Sequence, residues 1–413
     1  MADRSVDYLI VGGGVAGAAC AEALREGDAE ASILLVGREP DPPYERPPAS
    51  KEYLRGDATR EDAHVHEPAW WEEQRIELLT RTSVMKMDTE ARTVTLSTKE
   101  EIGYGAALLA TGANVKRLRV PGAELEGIHY LRALGNADAI RNDAAEAERV
   151  VLIGGSYIAC EVAASLTTLG KQCTLVMLED GPLCTGFGPT ASVFFQQLLR
   201  EHGVECVCGD PLASFAGEEG GRVQEVVTES GRRIPADMVV MGTGAMPDVM
   251  LARSAGLELG ESGGVHCSSS LATSAEGVWA AGDVCEYDSV VHGRRLRVEH
   301  FEHARSQGRA AGEAMLGRGG DYTEIPYFWS DLADWCSLEY VGPAAQWDRE
   351  VVRGSLDDGE FTIFYLDAGR LAAALTVGRS DDLEHAKWLI AAGEHLGDRA
   401  DGLADLGTDL GSI

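Results

Sequence analysis

The sequence has no cysteine arrangement that would form a zinc ribbon or a redox-active dithiol. Its nine cysteines are scattered, without a single CxxC or CxxxxC spacing. Clustered-cysteine metal sites and dithiol redox motifs need those spacings, so both are excluded and no metal site is predicted. We expect buried, reduced thiols, which are typical of a cytoplasmic protein.

Positive charge and long apolar runs are also scarce. Only six lysines are present, acidic residues outnumber basic ones 67 to 36, and the formal net charge is -31. Such a surface repels nucleic acid and anionic membranes, so neither is expected as a partner. No uninterrupted apolar run of about 18 residues occurs, which argues against a transmembrane helix. The opening residues run directly into a strand, so we expect no signal peptide and a cytoplasmic location.

A glycine loop near the N-terminus has the context of a dinucleotide-binding fold. In VDYLIVGGGVAG an apolar run precedes Gly12, Gly14 and Gly17, and a helical pattern and the strand ASILLVG follow. Gly12 permits a tight turn, Gly14 lets a pyrophosphate approach, and Gly17 lets helix and strand pack closely. The helix N-terminus supplies amide donors for the phosphates. Glu39, after the second strand, is the candidate ribose-binding acid, with a solvated loop glutamate as the alternative.

A second loop at residues 150–159 repeats the pattern less closely. In VVLIGGSYIA, Gly154 keeps the first glycine, whereas Ser156 and Ala159 replace the second and third. The strand TLVM follows the helix, which predicts a second dinucleotide site. That strand ends in MLED, without the Arg or Lys that a ribose 2′-phosphate needs. NADH is therefore favoured over NADPH, with Glu179 as the candidate ribose acid.

Three further segments complete an α/β pattern. YGAALLATGA ends a predicted strand in ATG, ADMVVMGTGAMPD is its counterpart near the second loop, and GVWAAGDV closes on a glycine and an acid. An acid at the carboxyl end of a parallel strand faces the ligand crevice of an open sheet, and a turn-capping role is the alternative. The residues concerned are Ala110, Thr111, Gly112, Gly242, Gly244, Gly282 and Asp283.

Several motifs in fixed order carry a resemblance to a known family. GGGVAG, RPPASK, ATGA, GGSYIACE, AAGDV and VEHFEHA together resemble the flavin-dependent pyridine-nucleotide reductases with a glutathione-reductase-like fold. Within them the chain is most similar to the branch of ferredoxin reductases from oxygenase systems and apoptosis-inducing factor. RPP-x-SK combined with FWSD carries this similarity more specifically than either glycine loop, and the resemblance spans about residues 5–393.

The resemblance implies an α/β protein with two Rossmann-type dinucleotide-binding domains and a small C-terminal α+β domain. An FAD-binding domain would consist of residues 1–116 and 246–322. An NAD-binding domain at 117–245 would be inserted in it, and the C-terminal domain would occupy 323–413. FAD and NADH are the implied cofactors. The last residues are acidic and glycine-rich, so we expect a loosely ordered tail.

The resemblance also implies roles for individual residues. Arg46 of RPPASK would contact the FAD phosphates, Lys51 would lie by the flavin ring, and Glu161 would pair with Lys51. Tyr157 would cover the flavin where nicotinamide must stack, with ordinary helix-start packing as the alternative. Trp329 would be either a flavin-side aromatic or part of the core. The other implied cofactor positions are Val15, Ala16, Val84, Lys116, Gly155, Ile158, Glu299, His300 and Phe301.

The implied roles have a physical basis. Reduced flavin is anionic, so a fixed ammonium at Lys51 would favour its formation in a cleft of low dielectric. Glu161 would orient Lys51 and accept a hydrogen bond from the nicotinamide carboxamide. Hydride transfer to flavin needs no acid–base group, so His300 is interpreted as structural. Disulfide reductases and cysteine-dependent NADH oxidases are excluded, because no cysteine lies between Gly37 and Gly105.

The predicted function is electron transfer from NADH through FAD to a small [2Fe-2S] ferredoxin. Two alternatives stay open: an NADH oxidase or quinone reductase without a protein acceptor, and an NADH-responsive redox sensor like apoptosis-inducing factor. The sequence leaves open whether the protein is a monomer or a homodimer. Arg294, Arg295 and Arg297 form a local basic cluster and a hypothetical ferredoxin-docking patch, with ordinary hairpin arginines as the alternative.

Overall fold

A computed structural model describes residues 2–218 and 220–413 of the chain, leaving Met1 and Glu219 outside the described residues. Within that part of the chain, no helix combines the length and the apolar character needed to cross a membrane. The chain forms two compact units. The first comprises Met1–Glu45, Glu61–Asn114 and Met246–Phe328, and the second comprises Arg46–Arg60, Val115–Ala245 and Trp329–Ile413. The division into three domains stays a prediction, because these two units show only which parts of the chain pack compactly together.

Strands make up much of both units. The strands before residue 120 are Arg4–Val11 (β1), Ile33–Val36 (β2), Ile76–Leu79 (β3), Val84–Asp88 (β4), Thr93–Leu96 (β5), Glu101–Leu109 (β6) and Ala113–Val115 (β7). Next come Ile128–Tyr130 (β8), Arg149–Ile153 (β9), Gln172–Val176 (β10), Glu205–Val207 (β11), Leu212–Gly217 (β12), Val223–Thr228 (β13), Arg233–Pro235 (β14) and Met238–Met241 (β15). The remaining strands are Ala245–Pro247 (β16), Val265–Cys267 (β17), Val278–Ala280 (β18), Cys285–Ser289 (β19), Arg294–Leu296 (β20), Tyr327–Leu332 (β21), Cys336–Val341 (β22), Arg349–Ser355 (β23), Glu360–Asp367 (β24) and Arg370–Val377 (β25).

Helices alternate with these strands in the manner of an α/β protein. The α-helices are Val15–Gly27 (α1), Glu52–Arg55 (α2), Pro68–Glu73 (α3), Leu134–Ala144 (α4), Tyr157–Thr168 (α5), Cys184–Glu201 (α6), Met250–Ser254 (α7), Phe301–Met315 (α8) and Asp381–Ala392 (α9). Short 3₁₀ helices occur at Pro47–Ser50, Glu61–Ala63, Gly282–Val284, Gly397–Ala404 and Leu410–Ser412.

The first unit is built on a seven-stranded sheet. Its order is β3-β2-β1-β6-β5-β4, and β18 also pairs with β6. Strands β1, β2, β3, β6 and β18 are parallel, whereas β4 and β5 form an antiparallel extension. The four residues of β2, ILLV, are all buried, as expected for a parallel strand that is covered on both faces. The predicted α/β fold is confirmed.

The register of this sheet brings the predicted loops to one edge. Val11 and Ala280 both pair with Leu109, so three parallel strands end at the same level. Gly12 follows β1, and ATG follows Leu109 at the end of β6. The pair Gly282 and Asp283 follows β18 after one intervening residue. Ligands of open α/β sheets bind outside this edge, where the carboxyl ends of the strands lie.

The second unit contains a five-stranded parallel sheet in the order β11-β10-β9-β15-β8. Ile153 pairs with Val176 and with Met241, so the second glycine loop and GTG also leave their sheet at one edge. A second five-stranded sheet, β21-β22-β25-β24-β23, lies in the C-terminal part, where α9 packs on β25. This sheet with its helix is the predicted α+β module.

The C-terminal tail differs from the expectation of loose order. The buried guanidinium of Arg353 donates hydrogen bonds to the carbonyl oxygens of Leu403, Asp405 and Thr408. Its Nε lies 3.5 Å from the carboxylate of Asp382. Composition alone predicted a loosely ordered tail. The buried guanidinium of Arg353 instead donates to three backbone carbonyl oxygens of the tail and holds it on the sheet.

Small residues determine how closely α1 and α8 pack in the first unit. A Cβ atom at Gly308 would lie 2.1 Å from the carbonyl oxygen of Ala16. A Cβ at Gly312 would lie 2.9 Å from the Cβ of Ala23. The contact matters for function because the N-terminus of α1 follows the first glycine loop directly.

We predict that Gly308→Ala destabilises the protein, because α1 and α8 must separate to admit the methyl group. The free energy of unfolding, measured by urea titration, should fall by roughly 1–3 kcal/mol. Gly135→Ala on α4 is the control, since a Cβ there would meet nothing within 4 Å. The control should change stability by less than about 0.5 kcal/mol or increase it slightly. Equal unfolding midpoints for the two variants would contradict the close helix contact.

Candidate functional site

The first glycine loop has the geometry that its spacing predicts. Gly12 has φ +128°, and a Cβ there would lie 2.0 Å from the carbonyl oxygen of Ala110. A Cβ at Gly17 would lie 2.1 Å from the carbonyl oxygen of Gly12. Gly14 is the N-cap of α1, and its surroundings are open, since a Cβ would meet nothing within 4 Å. The residues present therefore fit a pyrophosphate, for which the first amides of α1, at Val15 and beyond, would be the donors.

The AAGD segment lies against the same helix terminus. A Cβ at Gly282, which has φ +77°, would lie 3.3 Å from the Cβ of Ala16. The amide of Gly282 donates to Oε1 of the buried Gln307, a residue that the sequence did not single out. Asp283 follows within the 3₁₀ helix Gly282–Val284 and is partly buried. Gly282 thus lies close to the start of α1, and the predicted cofactor-facing role of Asp283 stays a prediction.

Glu39 is held by a neighbour rather than left as a solvated loop glutamate. The buried Tyr44 hydroxyl donates to Oε2 of Glu39 at 2.5 Å. Glu39 follows β2 at the edge where the glycine loop lies, which is the place of a ribose-binding acid. Val84 begins β4 and is partly buried. Its predicted role as a cofactor contact stays a prediction.

The surroundings of His300, in the segment after AAGD, support a structural role for this histidine. His300 is the N-cap of α8, and its ring lies 4.4 Å from the ring of Phe328. Burial lowers the pKa of His300 to about 4, so its imidazole is neutral near pH 7. Its Nδ1 is buried and has no hydrogen-bond partner among the described residues. Glu299 is exposed and Phe301 partly buried, beside this ring.

The predicted arginine patch has one member, Arg297, that is engaged in contacts within the first unit. The side chain of Arg297 is only 16% exposed, pairs with Glu299 and donates to the carbonyl oxygen of Asp283 at 3.2 Å. Arg295 pairs with Asp288 at 3.2 Å. Arg297 therefore connects Asp283 with Glu299 and exposes little of its side chain, and its predicted docking role stays a prediction.

In the second glycine loop, contacts with Gly242 accommodate Ser156 and Ala159, which stand where the pattern has glycine. Gly154 has φ +111°, and a Cβ there would lie 2.3 Å from the carbonyl oxygen of Gly242. Ser156, the N-cap of α5, donates its hydroxyl to that same oxygen at 2.9 Å, which fixes the side chain on the protein. A Cβ at Gly242 would lie 2.8 Å from the Cβ of Ala159. Ala159 therefore fits at the third loop position because Gly242 has no side chain.

Glu179 lies next to the second loop, as its candidate role requires. A Cβ at Gly155 would lie 3.5 Å from Oε2 of Glu179 and 3.0 Å from the sulfur of Met177. Met177 is buried and packs beneath the loop, so it cannot serve as the ribose acceptor. Ile158, on the first turn of α5, is exposed.

The two TG segments are stabilised by hydrogen bonds within their own units. Thr111 donates its hydroxyl to the carbonyl oxygen of Asp248 at 2.7 Å, and Gly112 has φ +67°. In the second unit, Thr243 donates to the carbonyl oxygen of Lys116 at 2.8 Å. Gly244, at φ +87°, accepts a bond from the Lys116 amide. The side chain of Lys116 is exposed, and its predicted reach to the FAD phosphates stays a prediction.

The structure brings Lys51 and Glu161 together as an ion pair. Nζ of Lys51 lies 2.8 Å from Oε1 of Glu161, and the side chains are only 5% and 6% exposed. Ser50 and Ser330 donate their hydroxyls to the same carboxylate at 2.5 and 2.6 Å. The ring of Trp329 lies 5.4 Å from Nζ of Lys51, a cation–π distance. The predicted pair is therefore the centre of a buried polar cluster.

The segment that carries Lys51 is anchored on both sides. Arg46 donates to the carbonyl oxygen of Arg132 at 2.6 Å. Tyr53 donates its hydroxyl to Asp138 on α4 at 2.6 Å. Because Pro47 and Pro48 also restrict the backbone, Lys51 is held in a nearly fixed position.

Tyr157 packs within the second unit. Its ring lies 5.5 Å from the ring of Phe187, and its hydroxyl faces Gly186, where a Cβ would lie 2.7 Å from it. Burial raises the pKa of Tyr157, so the phenol is neutral. This packing accounts for the position of the side chain, and its predicted role over the flavin stays a prediction.

Sequence reasoning did not single out Ser50 and Ser330, which donate to the carboxylate of Glu161. Both stand inside motifs that carry the resemblance, RPPASK and FWSD, next to Lys51 and Trp329. Their separations of 111 and 169 residues from Glu161 left no local pattern that could connect them to it.

We predict that Gly242→Ala weakens the second unit, because the new methyl group collides with Ala159. The free energy of unfolding should fall by roughly 1–3 kcal/mol. The affinity for NAD⁺, measured by calorimetry, should fall as well, because α5 begins at the loop. Gly242→Ala combined with Ala159→Gly should recover most of both losses. Additive effects of the two substitutions would contradict the contact.

Comparisons with known proteins extend over nearly the whole chain. The family model described as pyridine nucleotide-disulphide oxidoreductase matches residues 6–308, and the one described as reductase C-terminal matches residues 327–413. The 5,5'-dehydrodivanillate O-demethylase ferredoxin reductase subunit of Sphingobium sp. is 35% identical over 98% of this chain and 97% of its own. Rhodocoxin reductase of Rhodococcus erythropolis is 34% identical over 94% of this chain and 90% of its own.

Solved structures give the same picture. The ferredoxin reductase for the CYP199A2 system from Rhodopseudomonas palustris has a TM-score of 0.93 and 31% identity, with 99% of each chain covered. The covalent putidaredoxin reductase–putidaredoxin complex has a TM-score of 0.92 and 32% identity, covering 100% of this chain and 98% of that chain.

Proposed function

This chain belongs to the pyridine nucleotide-disulphide oxidoreductase family, and we propose that it is an NADH-dependent ferredoxin reductase. In this role it takes a hydride from NADH onto FAD and passes electrons singly to a small [2Fe-2S] ferredoxin. The relatives named above support this choice, since one is named a ferredoxin reductase subunit and another the ferredoxin reductase for the CYP199A2 system. The observation that carries it is the buried Lys51–Glu161 pair. A cytoplasmic location is part of the proposal.

Each cofactor has residues that would hold it. For FAD these are the first glycine loop, Asp283 and Glu39, and for NADH the second glycine loop and Glu179. FAD, when bound, supplies both a two-electron acceptor and a one-electron donor. The chain supplies binding and electrostatics, and it lacks the cysteines that a disulfide reductase would add near the flavin.

Lys51 is the proposed catalytic group. Its ammonium is buried and fixed by Glu161, so it presents a positive charge in a region of low dielectric. If FAD binds beside Lys51, this ammonium would favour the anionic reduced flavin over the neutral oxidised flavin, and that preference would accelerate reduction. Glu161 keeps the ammonium oriented and offsets the cost of burying it.

We predict that Lys51→Met slows reduction of the bound flavin by NADH roughly tenfold or more, because the fixed positive charge is lost. Anaerobic stopped-flow measurement of flavin absorbance gives the rate constant. Lys171→Met removes a lysine from the turn after α5 and serves as the control, which should react like the natural protein. Identical rate constants for all three proteins would remove Lys51 from the mechanism.

The proposed selectivity for NADH depends on Glu179, whose carboxylate lies beside Gly155. A ribose hydroxyl can donate to this carboxylate, whereas a 2′-phosphate is repelled by it. Asp180 is the next residue and is exposed.

We predict that Glu179→Gln reduces the ratio of kcat/KM for NADH to kcat/KM for NADPH by roughly tenfold, because one charge and one strong acceptor are lost. Ferricyanide reduction measures both constants. Asp180→Asn is the matched control and should change the ratio less than about threefold. The reverse order of the two effects would assign the ribose to Asp180.

The proposed ferredoxin contact uses fewer arginines than the sequence indicated. Arg294 and Arg295 are exposed, whereas the guanidinium of Arg297 donates to the carbonyl oxygen of Asp283 and pairs with Glu299. Because Arg295 shares its charge with Asp288, the patch is only weakly positive. We therefore propose a docking contact at Arg294 and Arg295 with modest dependence on salt.

A further inference from the structure

Helix α6 is interrupted near its start. Gly188 has φ +79° and ψ 177°, a backbone conformation that is essentially restricted to glycine. Pro189 comes next and lacks the amide that would continue the hydrogen-bond ladder of the helix. Residues 184–187 therefore form a separate turn ahead of the main helix, and we call them the leading turn of α6.

The leading turn lies against the second glycine loop. The amide of Leu183, directly before the turn, donates to the carbonyl oxygen of Gly155 at 2.7 Å. A Cβ at Gly186 would lie 2.7 Å from the hydroxyl of Tyr157, the first residue of α5. A Cβ at Gly155 would lie 3.5 Å from the carbonyl oxygen of Gly181. A shift of the leading turn would therefore disturb the loop to which we assign NADH.

The C-terminal sheet holds the leading turn through one hydroxyl. Tyr365 on β24 donates to the carbonyl oxygen of Phe187 at 2.8 Å, and both residues are fully buried. Carbonyl groups at the end of a helical segment need a partner from outside it, and a buried carbonyl without one is costly. Burial raises the pKa of Tyr365, so the phenol keeps the proton that it donates.

The break itself is covered by the same part of the chain. A Cβ at Gly188 would lie 2.4 Å from Oε1 of Glu350 and 2.8 Å from Cζ2 of Trp347. The indole of Trp347 donates to that oxygen of Glu350 at 2.9 Å, and its ring lies 4.8 Å from the ring of Tyr365. The segment around β23 and β24 thus restrains both Gly188 and the carbonyl group before it.

We propose that Tyr365 is a positioning residue for NADH, because its bond to Phe187 holds the leading turn of α6 against the second glycine loop. The inference rests on the proposed function, which assigns NADH to this loop. With the hydroxyl in place, the loop has its binding geometry before the dinucleotide arrives, so little free energy of binding is lost to ordering it. Without the hydroxyl, the leading turn has more positions available and the binding-competent fraction falls.

Tyr365→Phe tests this role, since it removes the hydroxyl and keeps the ring. By calorimetry on the oxidised, FAD-loaded protein, the dissociation constant of NAD⁺ should rise roughly threefold to tenfold, a fraction of what one buried hydrogen bond is worth. The constant of ADP-ribose should rise by the same factor within about twofold, because both ligands share the pyrophosphate that the loop binds. KM for NADH in ferricyanide reduction should rise, whereas kcat stays within about twofold.

Thr362→Val is the matched control. Thr362 lies on the same strand, is fully buried, and donates its hydroxyl to the carboxylate of Asp382 on α9 at 2.8 Å. Each substitution removes one buried hydroxyl, so both should lower the urea midpoint of unfolding, whereas only Tyr365→Phe should change the dissociation constants. Equal constants for Tyr365→Phe and the natural protein, or equal losses in the two variants, would show a merely structural role and overturn the inference.

Hydrogen–deuterium exchange gives a second readout that needs no ligand. The amide of Leu183 should exchange faster in Tyr365→Phe than in the natural protein, and at the natural rate in Thr362→Val. Should Tyr365→Phe fail to fold, Gly186→Ala decides instead, because its methyl group would separate the leading turn from Tyr157 and should weaken NAD⁺ binding as well. Unchanged binding in Gly186→Ala would then count against the inference.

The natural protein alone distinguishes failure of the proposed function from failure of this inference. Anaerobic NADH should bleach its flavin absorbance. If NADH causes no bleaching, the proposed function is wrong and the inference falls with it. Bleaching by NADH, together with natural dissociation constants in Tyr365→Phe, would overturn the inference alone.

Discussion

The burial of one ion pair governs how the second unit is organised. Removing Lys51 and Glu161 from water is costly, and their attraction offsets that cost only when the other hydrogen-bonding positions are also satisfied. Ser50 and Ser330 satisfy two of those positions. Loss of either charge would leave the other buried without a counterion, at a cost of about 3–5 kcal/mol. The pair therefore requires the RPPASK segment, α5 and β21 to remain together.

This requirement explains why residues 46–60 belong to the second unit although they lie within the N-terminal part of the chain. The segment carries few apolar anchors besides Tyr53 and Leu54. Its position is determined instead by polar contacts to α4 and α5, in which Asp138 accepts from Tyr53 and Ser165 donates to Ser50. Supporting hydrogen bonds of this kind help to hold a functional side chain in a fixed position.

The strong negative charge of the chain has little to do with this site. Some of its arginines bind groups of the chain itself: Arg353 donates to tail carbonyl oxygens, Arg297 connects Asp283 with Glu299, and the exposed Arg295 pairs with Asp288. The excess of acidic side chains therefore lies at the surface, whereas these arginines bind backbone carbonyl oxygens and carboxylates. An acidic surface restricts an acidic partner to local basic patches.

The sequence by itself determined the two mononucleotide folds, since glycine spacing and strand–helix order are local properties that each need only a few neighbouring residues. It also indicated Lys51, Glu161 and Glu179 through motifs, and the structure brings the first two into contact. Only the tertiary structure decided that Ser50 and Ser330 donate to Glu161, that Arg297 connects Asp283 with Glu299, and that Gly242 makes room for Ala159. These facts depend on distances between segments far apart in the chain, and such distances are set by packing rather than by any local pattern.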